Sequence, residues 1–252
     1  MADHTHIRTE LNHPGAAAAT RREALFRSIL KQLRIEWVWQ YVEENNSGRN
    51  NTYHHNLHMK TIAVNCWTFF HIECPELAND DERSLAMLVI AACLHDMNHS
   101  GGEFEDSVNI ERAIEAVAAI EGSLDKQFYD GFGERVKELI RVTQYPFIHV
   151  PHNRLERIIR DTDSLQAYEP DGVTAIMEGL RMEMLGRLGH IPTHKEMYEG
   201  QIKFMKGAEY FTHTGQDLVA SFGEKLFDAF KAYAETASGF VIADEVPNAD
   251  AQ

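Results

Sequence analysis

Basic residues are scarce in this chain of 252 residues, in which 24 lysines and arginines accompany 39 aspartates and glutamates. The formal net charge is therefore 24 − 39 = −15. Such a surplus of negative charge repels the phosphate backbone of nucleic acids and the anionic face of a membrane. The composition argues against both as partners. A small anionic substrate remains compatible with it, because a bound metal ion reverses the local field.

Long apolar runs and paired cysteines are also lacking. The longest apolar run, residues 85–94, is far shorter than the ~20 residues that a membrane-spanning helix needs. Residues 1–19 contain no apolar segment of the kind found in signal peptides. Of the three cysteines, Cys66 and Cys93 lie in apolar stretches, which is typical of reduced thiols in a protein core. These features predict a cytoplasmic protein.

No segment alternates apolar and polar residues as a half-buried strand does, whereas apolar residues recur at helical spacing over most of the chain. The predicted class is all-α, a single helical domain of about nine helices. We expect residues 1–19 to form a flexible arm, residues 20–240 the domain, and residues 241–252 a frayed acidic tail. Thr20 should cap the first helix, Asp80 or Asp81 the third, and Gly122 should end the fourth. The predicted helices cover about 20–44, 53–72, 81–95, 105–122, 126–142, 153–166, 171–188, 193–210 and 216–236.

The most informative stretch is LHDMNHSG, residues 94–101, which comes directly after the uncharged apolar run. A run this apolar is buried on most sides, so the chain brings His95 and Asp96 to the end of a buried helix. Buried ionisable groups need a counter-charge or a metal ion, and an imidazole beside a carboxylate suits a divalent cation. The alternative is a helix end at which cationic histidines favour the negative C-terminal dipole.

Two further predicted helices end in residues of the same kinds. His58 points along the apolar stripe of the second helix, and His54 lies four residues earlier, on the same predicted face. Asp163 ends an apolar helix two residues after Asp161, which could orient the ligand imidazoles. Each residue alone is more simply explained as structural, since the chain has 14 histidines. Taken jointly, they predict a metal-binding set made of His58, His95, Asp96 and Asp163.

The order His … His-Asp … Asp resembles that of the HD-domain metal-dependent phosphohydrolases. Residues 53–58, YHHNLH, followed by residues 95–101, HDMNHSG, look most like the catalytic domains of class I cyclic-nucleotide phosphodiesterases. Those enzymes have Tyr-His-Asn-x-x-His followed by His-Asp-x-x-His-x-Gly. The likeness covers roughly residues 53–165. It departs from the family at His55, which stands where the family has asparagine, and in lacking the Leu-Glu-x-His-His segment that comes after the metal motif.

The resemblance implies that two divalent ions (Zn²⁺, Mg²⁺, Mn²⁺ or Fe²⁺) are bound, the first by the four ligands and the second through Asp96. It makes His54 the general acid that protonates the leaving oxygen. It gives His99 a hydrogen bond to the bridging hydroxide or to a phosphate oxygen. Hydrolysis would then begin with attack of the metal-bridged hydroxide on phosphorus.

The resemblance also implies a substrate site lined by Tyr53, with Gln201 and Phe204 gripping a base. The competing interpretation of the last two is a solvent-facing amide beside a core ring. The expected function is hydrolysis of a phosphoester bond of a small nucleotide, with the substrate either a cyclic diester or a nucleoside mono-, di- or triphosphate or an alarmone. A di-iron oxygenase and a sensor without turnover are the alternatives. Whether the protein forms a homo-oligomer is left open.

Overall fold

Every regular element in the described part of the chain is a helix. The computed structural model describes residues 16–77 and 81–239, and these ranges contain ten helices in one domain and no strand, so the predicted all-α class is confirmed. Short turns of other helix types, such as Ser47–Asn50, occur between them. The helices are α1 (Ala16–Leu33), α2 (Glu36–Asn45), α3 (Asn56–Glu73), α4 (Glu82–Leu94), α5 (Asp106–Gln127), α6 (Phe132–Arg141), α7 (Arg154–Ser164), α8 (Arg181–Leu188, continuing a π-helical stretch, Ala175–Leu180), α9 (His194–Gly207) and α10 (His213–Ser238).

Helix α4 lies at the centre of the larger of two cores. Its residues from Leu85 to Leu94 are all buried, as the uncharged run predicts, and helices α3 and α6 pack against it. The thiols of Cys66 and Cys93 are free and buried in the same core. The chain that leaves α4 therefore begins among apolar side chains, and polar groups placed there must find partners within the protein.

A second, smaller core lies where α8, α9 and α10 meet. Tyr168 packs against both cores, and α10 also contacts α3, so the two parts adjoin. The smaller core positions α8 beside Gly102, in the segment that follows α4. Its buried residues are Ala167, Ile176, Met177, Met197, Met205, Phe230 and Ala234.

The predicted helix 20–44 is two helices in the structure. Arg34 adopts a left-handed backbone conformation, with φ of 57°, directly after α1. The N–H of Arg34 donates to the carbonyl of Lys31 at 3.2 Å, and the N–H of Ile35 donates to that of Leu30 at 2.9 Å. This pair of bonds forms a Schellman ending, which usually has glycine at the left-handed position. An arginine there gives no sequence signal, so the break was not predicted.

The start of α1 also differs from the prediction. The helix begins at Ala16, so residues 16–19 are helical instead of belonging to the arm, and Thr20 lies inside the helix instead of capping it. Residues 1–15 of the predicted arm and the tail 241–252 lie outside the described residues. The described domain therefore extends from residue 16 to residue 239.

The second predicted helix begins three residues later than expected. It starts at Asn56, and His55 caps it, with its ring Nδ1 accepting the N–H of His58 at 3.4 Å. Histidine is not among the usual N-cap residues, so the sequence favoured a helix from Tyr53. His54 therefore lies outside α3, and the prediction that it shares a helical face with His58 is wrong.

Other helix ends shift by a few residues. Gly122 does not end α5, and Leu124 beyond it is buried in the core. Asp81 caps α4 by accepting the N–H of Ser84 at 3.0 Å, whereas Asp80, the alternative cap, lies outside the described residues. Among the helices that the structure describes, none combines the length and apolar character that crossing a membrane requires.

Asp161 joins α7 to the start of α10. Its buried carboxylate accepts the backbone N–H of Phe211 at 2.9 Å, and the backbone N–H and the hydroxyl of Thr212 at 2.7 Å each. Thr212 in turn caps α10 by accepting the N–H of Gly215. The carboxylate thus holds a helix junction. The expectation that Asp161 orients the ligand imidazoles is wrong, because its bonds go to residues 211 and 212.

Replacing Asp161 with alanine should lower the free energy of unfolding by about 2–4 kcal/mol, because three buried donors lose their acceptor. Asp161→Asn should cost less, since its amide oxygen still accepts, and burial already raises the pKa of this carboxyl by opposing its charged form. Urea unfolding of the two variants measures both losses. An Asp161→Ala variant as stable as the wild type would contradict this role.

Candidate metal centre

Three helices bring two imidazoles and two carboxylates to one point. His58 comes from the first turn of α3, His95 and Asp96 come directly after the last residue of α4, and Asp163 lies at the end of α7. The Nε2 atoms of the two histidines are 3.2 Å apart. The Nε2 of His58 lies 3.2 Å from both Asp96 Oδ2 and Asp163 Oδ1, and the Nε2 of His95 lies 3.3 and 3.5 Å from the same oxygens.

The hydrogen bonds of these residues leave the converging atoms free for a cation. His95 Nδ1 lies 2.8 Å from the carbonyl of Ala92, so this nitrogen is the donor and Nε2 of the neutral ring presents a lone pair. Asp96 Oδ2 is buried and makes no hydrogen bond, and neither does His58 Nδ1. A buried carboxylate oxygen without a hydrogen bond is costly unless a charge compensates it.

The spacing of the converging atoms fits a divalent cation. Ligands at 2.0–2.2 Å from a metal ion lie about 3.0–3.5 Å from one another in octahedral or tetrahedral geometry. The separations between the nitrogens and oxygens, 3.2–3.5 Å, fall in that range. His58, His95 and Asp163 could therefore hold a metal ion. Asp96 brings an oxygen to the same point.

Without a metal ion, these four groups compensate one another's charge. Burial opposes the charged form of the rings, but Asp163 and Asp96 outweigh it and raise the pKa of His58 to about 9. The pKa of His95 also lies well above its ordinary value, for the same reasons. The two histidines in turn lower the pKa of both carboxyls despite their burial. Protons on the rings thus take the place of the positive charge that a cation would bring.

Beside this group, His54 pairs with Glu183 of α8. One oxygen of Glu183 accepts the backbone N–H of Tyr53 at 2.5 Å and that of His54 at 3.0 Å. Its other oxygen lies 2.6 Å from Nδ1 of the His54 ring. Burial opposes the charged ring, but Asp96 and Glu183 together raise the pKa of His54. Because Nδ1 is paired with Glu183, Nε2 is the nitrogen available to a ligand.

His99 stacks on His54. The ring centroids are 3.8 Å apart and the planes differ by 25°. Nδ1 of His99 accepts the N–H of Gly101 at 3.1 Å, and Nε2 lies 2.9 Å from the amide nitrogen of Asn109 and 4.0 Å from Asp106 Oδ1. Burial, and then the charge on His54, lower the pKa of His99 to about 3, so this ring is neutral. Its position outside the His58–His95 group agrees with an indirect role.

Glu183 is the site residue that sequence reasoning missed. In the sequence it is one charged residue in an amphipathic helix, indistinguishable from its neighbours. Glu183 reaches the site because α8 packs closely against Gly102. A Cβ on Gly102 would collide with the carbonyl of Glu183, so only glycine allows this approach. The ligand atoms of His54, His99 and Glu183 lie within 4.8 Å of one another, so this second group could also hold a metal ion.

Tyr53, predicted to line the substrate site, lies between the two groups. Its ring centroid is 4.7 Å from that of His54 and 5.3 Å from that of His58. Burial and the charge on Asp163 raise the pKa of its hydroxyl well above the ordinary value, so the hydroxyl stays protonated. The ring is therefore a neutral wall beside the atoms that could hold a metal ion.

Gln201 and Phe204, the predicted base-binding pair, lie on α9. Gln201 is buried, so it is not the solvent-facing amide of the competing interpretation. Phe204 packs against the ring of Tyr145, with centroids 5.5 Å apart. The N–H of Tyr145 donates to Asp106 at 2.6 Å, and Asp106 lies 4.0 Å from His99. Phe204 thus adjoins the site through this loop, not by direct contact with the metal-binding atoms.

The comparisons with known proteins give no function for this site. No protein-family model matches the chain, and neither a curated protein nor a solved structure is significantly similar to it. The chemistry open to these residues must therefore be judged from their own distances, burial and charge.

Removing one ligand should abolish tight metal binding. Asp96→Ala and Asp163→Asn should each lose more affinity than the ~10–100-fold that loss of a supporting residue costs. Elemental analysis and calorimetric titration with Zn²⁺ measure this loss. Asp161→Asn is the matched control, two residues away on the same helix, and should keep its metal. Metal loss in Asp161→Asn together with full binding in Asp163→Asn would show that the ligand is wrongly assigned.

Metal-free protein should lose stability as the pH rises through about 9, the pKa of buried His58. Because this pKa is raised on folding, the ion pairs stabilise fully below pH ~6.5 and are lost above pH ~9. The loss should be on the order of 3 kcal/mol. Urea unfolding at pH values from about 6 to 10 measures it. In metal-saturated protein the dependence should reverse, since binding displaces the ring protons and strengthens with pH; equal curves would contradict the site.

Proposed function

We propose that this chain is a metal-dependent phosphohydrolase of the HD superfamily, like the cyclic-nucleotide phosphodiesterases, and that it cleaves a phosphoester bond of a nucleotide. One observation supports this most: a group of two imidazoles and two carboxylates that could hold a cation adjoins His54, whose Nδ1 is paired with Glu183 and whose Nε2 is available. Cleavage of a phosphoester needs both parts, because charge on the phosphoryl oxygens must be neutralised and the leaving oxygen must receive a proton.

The metal-binding residues would work from rigid positions. Bound divalent ions, two of Zn²⁺, Mg²⁺, Mn²⁺ or Fe²⁺, supply an activated water and neutralise phosphoryl charge. Asp96 brings Oδ2 to the first group, and its other oxygen would serve a second ion. Because the ligands sit at the ends of α3, α4 and α7, their spacing is set by helix packing and needs little rearrangement on binding.

His54 would be the general acid. Glu183 holds Nδ1 of its ring at 2.6 Å and fixes the backbone on which the ring is carried. This pairing orients Nε2–H away from Glu183, toward a bound substrate. Asp96 and Glu183 raise the pKa of this ring, which favours the protonated form that can donate to the leaving oxygen.

A nucleotide is the substrate class that the surroundings favour. Tyr145, Phe147 and Phe204 form an aromatic cluster, with ring centroids 5.3–6.1 Å apart, next to Asp106. Aromatic rings bind the flat faces of bases. Gln201, one helical turn before Phe204, is buried, and its side chain is an amide, a group suited to the edge of a base. Cyclic diesters, nucleoside mono-, di- and triphosphates and alarmones all fit this description.

The direct test is hydrolysis itself. Purified protein, loaded in turn with Mg²⁺, Mn²⁺, Zn²⁺ and Fe²⁺, is assayed against cyclic and linear nucleotides for loss of the ester bond. Turnover that requires the metal and disappears in Asp96→Ala supports the proposal. Binding of a nucleotide without turnover under every metal would contradict it and favour a sensor.

Replacing His54 should separate protonation from metal binding. His54→Asn should keep its metal but lose ~10²–10⁴-fold in turnover of a natural nucleotide, whose alkoxide leaving group needs a proton. A nitrophenyl phosphodiester, which has an acidic leaving group, should lose far less. The measurement is the ratio of the two losses in kcat.

The neighbouring histidine provides a matched control. His55→Asn keeps a good N-cap on α3, because asparagine caps helices well, and should leave both activities nearly unchanged. A ratio near one for His54→Asn would mean that its ring is not the acid.

A di-iron oxygenase is the second candidate. It needs nitrogen ligands beyond the first group, and His54, His99 and Glu183 form a second group that could supply them. The short contact between His54 Nδ1 and Glu183 favours the acid pair instead. Metal analysis of His54→Asn discriminates, since an oxygenase should lose about half of its iron whereas the phosphohydrolase should lose none.

A further inference from the structure

The loop between α2 and α3 lies against the two histidines that stand outside the helices. His54 precedes α3 and His99 comes after the turn that ends α4, so neither backbone is fixed by a helical hydrogen-bond ladder. The loop is rich in asparagine, a composition typical of connections between helices. In the structure one of its residues, Asn51, contacts both histidine segments.

A single amide group joins the two segments. Nδ2 of Asn51 donates to the carbonyl of His54 at 3.1 Å and to the carbonyl of His99 at 2.9 Å. An asparagine NH₂ has two protons, so it can serve both carbonyls at once. Asn51 and His99 are 48 positions apart in the chain. The imidazole rings of the two joined segments stack, with their centroids 3.8 Å apart.

The loop is itself held firmly. Asn46 is fully buried, and its Oδ1 accepts the N–H of Gly48 and that of Asn98 at 2.9 Å each. Gly48 lies so close to His99 that an added Cβ would sit 2.9 Å from the His99 carbonyl oxygen. Asn51 therefore donates from a fixed position and can set the distance between the two histidine backbones.

We infer that Asn51 is a positioning residue that fixes His54 and His99 relative to each other. This inference rests on the proposed function, in which His54 is the proton donor. Asn51 acts through backbone carbonyls, without touching the reacting atoms. Shifts of about 1 Å in such a donor cost on the order of 10²-fold in rate, so a small loss of alignment is measurable.

The sharpest variant is Asn51→Asp, which keeps the size of the side chain but replaces the donor with an oxygen facing two carbonyl oxygens. We expect kcat to fall about 10–100-fold, with KM and metal content within about threefold of the wild type. Asn50→Asp adds the same charge at the adjacent, exposed position and should change kcat less than about twofold. This control separates the lost donor from the added negative charge.

A second readout does not depend on turnover. The stacked rings of His54 and His99 should give a ring-to-ring nuclear Overhauser effect in Zn²⁺-loaded wild type and in Asn50→Asp, and it should vanish in Asn51→Asp. If Asn51→Asp does not fold, Asn51→Ser, too short to reach both carbonyls, takes its place. If the Asn51 variant keeps the ring contact and its kcat stays within about twofold of the wild type, the inference is wrong. If the wild-type protein hydrolyses no nucleotide, the proposed function is wrong. The ring contact between His54 and His99 in the Asn51 variant still tests whether Asn51 positions the two histidines.

Discussion

The structure depends on compensating charge at the buried end of α4. Every residue from Leu85 to Leu94 is buried, so the next residues emerge where water cannot solvate them. Two carboxylates there are tolerable only beside cations, and the structure provides these as protonated imidazoles or as a place for a metal ion. Helices α3 and α7 are held against α4 by their apolar faces, and in that position they complete the group.

The site is built in two different ways. The residues that could hold a metal ion stand at helix ends, where the packing of three helices fixes them. His54 and His99 stand on irregular backbone and depend on side-chain hydrogen bonds, from Glu183 on one side and Asn51 on the other. A position fixed by helix packing tolerates most single substitutions. A position fixed by a side-chain hydrogen bond is lost when the donor or acceptor atom is removed. Mutations in the second group should therefore alter reactivity with little effect on the fold.

Periodicity made most of the helices predictable, and it also predicted that His58, His95 and Asp163 would come together as a group that could hold a metal ion. Apolar spacing identified the helices and the burial of α4, and ligand-type residues at three helix ends predicted the group around His58. Sequence patterns did not predict the features that depend on a single residue in a role unusual for its type. Arg34 takes a backbone conformation normally left to glycine, and His55 serves as an N-cap. Glu183 joins the site only because two distant segments meet at Gly102, a contact that no local pattern encodes.

The stacked histidines show how one fold can give two imidazoles opposite chemical characters. Two charged rings 3.8 Å apart would repel, so the pair favours one proton. His54 keeps it, because Asp96 and Glu183 lie close enough to outweigh burial, and its pKa rises. His99 has no carboxylate nearer than Asp106 at 4.0 Å among the described ion pairs, and its pKa falls to about 3. Environments that separate two pKa values in this way assign acid and acceptor roles. Under the proposed function, His54 gives up a proton and His99 remains a neutral hydrogen-bonding partner.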